Sequence, residues 1–269
     1  MKFTGIDFGT SYTNIVELEE NLKKTSFSNR QPAKNFFGKK GRKIGFTGCI
    51  RKKRFLKILS RNDAIEFGEL ECIAEGAKFL SGKKEFLVVN VGTGTPFVFV
   101  RNGKTIHLGG SGIGGGTLAG LAELLLKEKV ENLEKLARKG KKTLDYTVCE
   151  VLGKKIGIVP SDATASNFGK TPFSKKIGKN DVAFSLLSMV SETIGVMASL
   201  AASAVKTKTV VFTGKTVQNE FIRKKISETC AIFGKKSVFP ADGEYATAIG
   251  AAILAKDSFK SKGKIIRSR

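Results

Sequence analysis

Two glycine-rich segments of the chain contain the residue types that hold phosphate groups. The first, residues 92–95, reads Gly-Thr-Gly-Thr after an apolar run, and the second, residues 109–117, contains six glycines and precedes another apolar run. Glycine leaves backbone N–H groups accessible, and threonine and serine add hydroxyl donors. Such groups at the end of a strand or at the start of a helix bind anions. The sequence therefore predicts a phosphate site at these two segments.

An acidic residue lies at the end of the first strand that the sequence predicts. Residues 2–18 alternate apolar and polar side chains on either side of a glycine turn, which predicts a β-hairpin. Gly9 frees the backbone of the turn, and Thr10 and Ser11 contribute hydroxyl groups. Asp7 supplies the carboxylate oxygen that a hydrated Mg²⁺ prefers beside phosphates. An ordinary β-turn with a capping aspartate is the alternative.

Two further carboxylates fall on predicted helices. Glu69 lies in the first turn of a predicted helix over residues 69–80, where the helix dipole stabilises a negative charge. Simple capping and catalysis are both compatible with that position. Glu192 lies in the middle of a long predicted helix over residues 181–204. It is either a partly exposed helix residue or a polar contact near a nucleotide.

The segment Gly214-Lys215-Thr216 resembles half of a Walker A motif. The first glycine of that motif would fall at position 209, which is a threonine, so the sequence excludes a P-loop. A buried strand over residues 209–213, a glycine and a helix over residues 219–229 nevertheless suit a nucleotide at the carboxyl end of a sheet.

The elements that position these residues alternate between strands and helices. A strand, a Gly/Thr turn and a second strand occur twice, at residues 2–18 and 86–108, and we expect the two halves to face each other across the phosphates of a nucleotide. The remaining periodicity predicts strands at residues 25–28, 44–47, 63–67, 209–213 and 237–239 and helices at residues 69–80, 118–127, 131–139, 181–204, 219–229 and 245–256.

Composition limits the classes of protein that the chain can belong to. With 269 residues and 41% hydrophobic residues, the chain can bury one large or two modest cores. It contains no run of eighteen apolar residues, so the sequence predicts no membrane span. Without a membrane span or a signal-like apolar core, we expect a cytoplasmic protein. Four widely separated cysteines predict reduced, mostly buried thiols and no CxxC metal site. His107 is the only histidine, which excludes zinc sites that need two imidazoles. A Ser-His-Asp triad would have to use this one histidine.

The net charge of +23 is compatible with a nucleic-acid partner, an anionic substrate or a solvated basic surface. No aromatic-interleaved RNA motif and no zinc-finger or recognition-helix spacing accompanies the lysines. We therefore expect a solvated surface and no nucleic-acid or membrane partner.

Taken together, the two hairpins, the strand–Gly–helix unit and the motifs at residues 90–95, 109–117, 165–169 and 248–251 resemble the type II (eukaryotic-like) pantothenate kinases. These belong to the actin/hexokinase/Hsp70 superfamily. The resemblance implies an α/β protein with a two-domain actin-like, ribonuclease H-like ATPase fold and mixed sheets flanked by helices. It implies a smaller domain over residues 1–82, a larger one over residues 83–256 and a basic tail over residues 257–269.

The resemblance also assigns functions to individual residues. It implies that Asp7 binds Mg²⁺, that Glu69 is the general base, with Glu66 as the competing candidate, and that Gly214 lies near the adenosine. The implied ATP-binding set is Asp7, Gly9, Thr10, Ser11, Gly92, Thr93, Gly94, Gly112, Gly114, Gly115, Gly116 and Gly214. The implied contacts with the acceptor substrate are Glu69, Thr93, Thr95, His107 and Tyr245.

The implied activity is phosphorylation of the terminal hydroxyl of pantothenate by ATP and Mg²⁺, in a cytoplasmic homodimer that coenzyme A or its acyl esters could inhibit. Three positions depart from the family pattern, since Asn14 replaces a lysine, His107 an arginine and Pro96 a serine. An imidazole lacks the planar charged fork of arginine. A kinase for a sugar, an amino sugar or a pantetheine-like alcohol, and a non-catalytic nucleotide or coenzyme A sensor, are therefore the alternatives.

Overall fold

The structure is a computed structural model that describes residues 2–19, 22–28, 41–48, 62–174 and 176–267. Contacts group the chain into two compact units. The first contains Met1–Val88, Val98–His107 and Pro240–Arg269, and the second contains Val89–Phe97 and Leu108–Phe239. Cys49 and the last two residues of the basic tail lie outside the described residues.

The first unit contains a mixed five-stranded sheet. Its strands are β1 (Phe3–Phe8), β2 (Tyr12–Leu18), β3 (Leu22–Ser28), β4 (Lys43–Gly48) and β5 (Asp63–Glu66), in the order β3-β2-β1-β4-β5. The β1–β2 pair is antiparallel, as the hairpin pattern predicts, and so is the β2–β3 pair, whereas β1–β4 and β4–β5 are parallel. The core cluster of this sheet contains Ile6, Phe8, Ile15, Phe27, Ile44 and Phe46.

Two helices pack closely against this sheet and against each other. They are α1 (Glu69–Ser81) and α7 (Ala246–Arg267), and α7 contacts α1, β1 and β4. Glycine makes this approach possible, because a Cβ at Gly5 would lie 1.9 Å from the carbonyl oxygen of Ala248 and one at Gly76 would lie 1.8 Å from that of Ala246. Gly250 of α7 has the same function, since its Cβ would lie 1.9 Å from the carbonyl oxygen of Cys72.

A second five-stranded sheet has the order β12-β11-β6-β7-β8. Its strands are β6 (Phe86–Asn90), β7 (Thr95–Arg101), β8 (Lys104–Ser111), β11 (Thr209–Thr213) and β12 (Lys236–Val238). Strand β6 is fully buried over residues 86–89, which agrees with its continuous apolar sequence. A short antiparallel pair, β9 (Tyr146–Thr147) with β10 (Thr164–Ser166), is not among the predicted strands.

The helices of the second unit include one long core helix. They are α2 (Gly115–Leu121), α3 (Leu133–Ala137), α4 (Val148–Leu152), α5 (Lys179–Ala204) and α6 (Glu220–Ile232). Helix α5 is long and apolar enough to cross a membrane, but most of its apolar window is buried inside the protein, as in a core helix. Gly195 lets α6 approach it, because a Cβ there would lie 2.7 Å from Cβ of Thr229.

The observed helices differ from the predicted ones mainly at their ends. The helix predicted at residues 118–127 begins at Gly115 as α2 and continues into a π-helical turn at Ala122–Leu126. Helix α7 extends through the basic tail to Arg267, where the sequence predicts no fold. Phe259 explains part of this extension, because its ring packs on Phe3 and lies beneath the ammonium group of Lys43. Cys72 and Cys230 are buried free thiols, as predicted, whereas Cys149 is exposed.

Candidate active site

The carboxylate of Asp7 lies near the end of β1, beside the turn at residues 9–11. Its register partner on β2 is Asn14, so the two side chains project from the same face of the hairpin. Burial and then the negative charge of Glu69 raise the pKa of Asp7 to about 7, while a hydrogen bond from Asn14 lowers it. Within the described residues no ion pair reaches Asp7.

Glu69 is the first residue of α1 and is exposed. Gly68 precedes it in an extended conformation, so Glu69 lies among the N–H groups of the first helical turn, where a carboxylate is stabilised. The negative charge of Glu69 raises the pKa of Asp7, so these two predicted site residues lie in the same neighbourhood. Glu66 is also exposed but ends β5 instead of beginning the helix.

A contact that the sequence did not predict connects Asn14 to the turn before α7. The side-chain Nδ2 of Asn14 donates a hydrogen bond to the backbone oxygen of Glu244 at 3.1 Å. Glu244 lies in a 3₁₀ turn, Gly243–Tyr245, that leads directly into α7. The neighbouring Tyr245, a predicted substrate contact, packs against a cluster that contains Val16. Burial and then the charge of Glu244 raise the pKa of Tyr245.

The predicted glycine-rich segments interlock within the second unit. The N–H of Gly115 donates to the carbonyl of Gly92 at 2.8 Å, and the N–H of Gly116 donates to the carbonyl of Thr93 at 3.1 Å. The hydroxyl of Thr95, which is buried, donates to the carbonyl of Ile113 at 2.7 Å. The sequence related residues 92–95 and 109–117 only by their similar residue types. In the structure the two segments are joined by hydrogen bonds.

The segment after β11 closes the same loop cluster. The backbone N–H of Thr216 donates to the carbonyl of Val91, and its hydroxyl donates to the carbonyl of Gly92 at 3.3 Å. Gly214 has φ +96°, and a Cβ there would lie 2.5 Å from the carbonyl oxygen of Val91. A Cβ at Gly115 would lie 2.4 Å from the side-chain hydroxyl of Thr216 and 3.0 Å from the carbonyl oxygen of Gly92. Backbone conformation and packing together require glycine at position 214.

The hydrogen bonds separate the loop N–H groups into two sets. Those of Gly92, Gly114, Gly115 and Gly116 donate to protein oxygens. In the described part of the chain, the N–H groups of Thr93, Gly94 and Gly112 meet no protein acceptor, and Thr93 and Gly112 are exposed. Three N–H groups without a protein acceptor therefore remain in this part of the loops, two of them on exposed residues.

Comparison with known proteins identifies the family of the chain. The sequence profile of the Fumble family matches residues 82–254. A type II pantothenate kinase from Bacillus cereus (strain ATCC 10987 / NRS 248) is 30% identical, with 93% of this chain and 96% of the relative covered. The chain belongs to the type II pantothenate kinase (Fumble) family. The type II pantothenate kinase of Oceanobacillus iheyensis is 32% identical over 69% of this chain and 72% of its own length.

Solved structures confirm the predicted actin-like ATPase fold. The activator of the 2-hydroxyisocaproyl-CoA dehydratase from Clostridium difficile, solved with ADPNP, has a TM-score of 0.67 at 16% identity and covers 98% of this chain and 97% of its own. A ROK family glucokinase from Streptomyces griseus, solved with glucose and AMPPNP, has a TM-score of 0.59 at 12% identity, covering 96% of this chain and all of its own.

The environment of Asp7 is compatible with a hydrated divalent cation, which needs only one or two carboxylates, and the described residues contain no cluster of three or more potential metal ligands. Burial is the largest cause of the raised pKa of Asp7, and the charge of Glu69 adds to it. No lysine or arginine of the described residues forms an ion pair with either carboxylate. A hard cation with oxygen ligands would supply the missing positive charge.

Two positions at which this Fumble family member departs from the expected pattern are visible in the structure. His107 lies on β8 and is exposed, and Pro96 lies on β7, where a Cβ at Gly110 would approach its Cα to 3.2 Å. Neither supplies the charged or hydroxyl group that the family pattern has there.

Glu192 is a polar contact of the second unit. It accepts hydrogen bonds from Thr164 at 3.1 Å and from Asn167 at 3.4 Å, and the ammonium of Lys225 lies 3.9 Å away. The motif at residues 165–169 is thus attached to α5. The N–H of Phe168, which has φ +59°, donates to the fully buried carboxylate of Asp145 at 2.9 Å.

Proposed function

We propose that this chain transfers the γ-phosphoryl group of ATP to the terminal hydroxyl of pantothenate, which gives 4′-phosphopantothenate and ADP, the first step of coenzyme A biosynthesis. The observation that carries the proposal is its 29–30% identity to bacterial type II pantothenate kinases over 93% of the chain. The neighbourhood of Glu69 and Asp7 supports it, because phosphoryl transfer needs chiefly positioning, charge stabilisation and one proton acceptor.

Glu69 is the proposed general base. Its exposed carboxylate accepts the proton of the acceptor hydroxyl while that oxygen attacks phosphorus. Asp7 would hold Mg²⁺, which when bound would neutralise charge on the phosphate oxygens. Thr10 and Ser11, both exposed in the turn after Gly9, would contact the same phosphates.

The glycine-rich loops of the second unit, residues 92–95 and 109–117, would contribute N–H donors to the nucleotide. The N–H groups of Thr93, Gly94 and Gly112 would contact phosphate oxygens, while Gly115 and Gly116 keep the loops in position through their own hydrogen bonds. Gly214 would lie near the adenosine. These assignments, and those of Thr95, His107 and Tyr245 to the acceptor, remain proposals.

A coupled assay of ADP release tests the proposal. Pantothenate, pantetheine, sugars and amino sugars are compared as acceptors, and we expect release that depends on pantothenate. Glu69→Gln should lower kcat by about 10²–10⁴ with nucleotide binding retained. Glu66→Gln is the matched variant and should keep near-normal turnover. Normal turnover by Glu69→Gln would contradict the assignment of the base.

A second candidate is a kinase of the same fold for another small alcohol. His107 and Pro96 favour it, because neither can bind a carboxylate or hydroxyl as arginine and serine do. Faster turnover of a sugar, an amino sugar or pantetheine than of pantothenate would support this candidate. Binding of nucleotide or coenzyme A without ADP release from any acceptor would instead indicate a non-catalytic sensor.

We further propose a cytoplasmic homodimer. Apolar side chains are exposed on the second unit, among them Leu124, Leu125, Ile158 and Phe173, with Phe173 78% exposed. Exposed apolar surface of this kind is typical of association surfaces. Sedimentation equilibrium tests the dimer, and titration of the kinase assay with coenzyme A and acetyl-coenzyme A tests inhibition.

A further inference from the structure

The side chain of Asn14 makes two contacts through one amide group. Asn14 and Asp7 are directly opposed in the antiparallel β1–β2 pair, and Asn14 hydrogen-bonds the Asp7 carboxylate. The same Nδ2 donates to the backbone oxygen of Glu244 at 3.1 Å. An amide nitrogen has two hydrogens, so both contacts can be made at once.

Each end of this bridge is attached to a constrained element. Asp7 lies on β1, the central strand of the first sheet. Glu244 lies in the 3₁₀ turn before α7, and the adjacent Asp242, with φ +62°, forms a 2.6 Å ion pair with Lys24 of β3. The carbonyl of residue 244 is therefore fixed relative to the sheet. Through it the amide of Asn14 has a defined orientation toward Asp7.

We propose that Asn14 is a positioning residue, which uses this bridge to hold the carboxylate of Asp7 in the orientation that receives the cation of the phosphoryl-transfer reaction. A single amide N–H occupies one acceptor position of a carboxylate, so the remaining lone pairs of Asp7 would be available for a cation. Because the amide is neutral, it orients the carboxylate without competing with the cation as an ammonium group would. The inference rests on the proposed kinase function and adds a residue to it.

The test replaces Asn14 by leucine, which has a similar shape and donates no hydrogen bond. We expect the concentration of Mg²⁺ for half-maximal activity to rise about tenfold or more, and kcat to fall, with KM for pantothenate unchanged. Loss of correctly placed outer contacts commonly costs 10–100-fold in metal affinity. Ser26→Ala, at the residue opposite Asn14 on β3, is the matched control and should leave all values unchanged.

A readout independent of turnover is the Mg²⁺ dependence of AMPPNP binding, measured by calorimetry and by thermal shift. Asn14→Leu should weaken the Mg²⁺-dependent part of binding and leave the binding of AMPPNP in EDTA unchanged. Asn14→Gln, which keeps the amide on a longer side chain, should recover part of the Mg²⁺ response.

The outcomes separate the two ideas. An unchanged Mg²⁺ dependence in Asn14→Leu, for activity and for AMPPNP, would overturn the positioning role even if the wild type phosphorylates pantothenate. A wild type that releases no ADP with pantothenate but loses its Mg²⁺ response on Asn14→Leu would contradict the proposed acceptor and support the role of Asn14.

Discussion

The raised pKa of Asp7 predicts that stability depends on pH through this one group. The folded pKa, about 7, exceeds the ordinary value of 3.8 that we take for the unfolded chain. The folded state therefore binds this proton more tightly than the unfolded state, and the contribution of Asp7 to stability is lost as pH rises from about 4 to about 7. At pH 7 half of the folded molecules still carry this proton, so the dependence ends about one pH unit higher.

The magnitude follows from the linkage between proton binding and stability. Each pH unit well between the two pKa values changes the free energy of unfolding by about 1.4 kcal/mol, and the slope halves at the folded pKa, so the interval from pH 5 to pH 7 contributes about 2 kcal/mol. Asp7→Asn removes the titrating carboxyl. Between pH 5 and pH 7 the free energy of unfolding of this variant should therefore fall less than that of the wild type, by about the amount that Asp7 contributes. Asp63→Asn, at an exposed aspartate of β5, should follow the wild type.

Urea unfolding at pH steps from 5 to 8, without Mg²⁺, measures this difference. Other titrating groups are common to the three proteins and cancel when the curves are subtracted. Saturating Mg²⁺ and AMPPNP should flatten the wild-type curve, because a cation beside the carboxylate favours its ionised form. Parallel curves for the wild type and Asp7→Asn would refute the conclusion that burial and the charge of Glu69 raise the pKa of Asp7.

Three further predictions concern the close packing of glycines. Gly76→Ala places a Cβ 1.8 Å from a backbone oxygen of α7, so it should destabilise the protein by about 3 kcal/mol or more in urea unfolding, whereas Gly120→Ala, with open space at its Cβ, should be neutral or stabilise by up to about 1 kcal/mol. Gly115→Ala should weaken ATP binding in calorimetry, since its Cβ would displace the loop cluster; unchanged affinity would contradict that function. Thr216→Ala should recover part of this loss in the double variant, because it removes the hydroxyl 2.4 Å from the new Cβ, and additive losses would argue against this contact.

The sequence predicted the fold well where the signal is local. The hairpin at residues 2–18, the buried strand at residues 86–90 and the helix at residues 69–80 depend on periodicity and glycine turns, and the structure contains each of them. Helix ends were less accurate, because tertiary contacts such as that of Phe259 with Phe3 extend α7 beyond its apolar pattern.

The glycine-rich segments show what residue type alone leaves undetermined. Their composition predicted accessible N–H groups throughout, but those of Gly115 and Gly116 donate to the carbonyls of Gly92 and Thr93. The same residue type thus serves for packing at some positions and leaves donors accessible at others, such as Gly112. Whether a glycine serves for packing or leaves its donor accessible depends on the approach of the segment that contains Thr216, more than a hundred residues away.

Asn14 illustrates why the electrostatics of the candidate site required coordinates. In the sequence Asn14 replaces the lysine of the family pattern, and no neighbouring residue in the chain indicated a hydrogen-bond partner for it. The structure gives it one from 230 residues away, the carbonyl of Glu244, so that a neutral donor contacts Asp7. A neutral donor adds no positive charge beside Asp7, so the pKa of this carboxyl stays raised, at about 7, although the chain as a whole carries +23. Net charge read from composition therefore does not predict the electrostatics of one carboxylate.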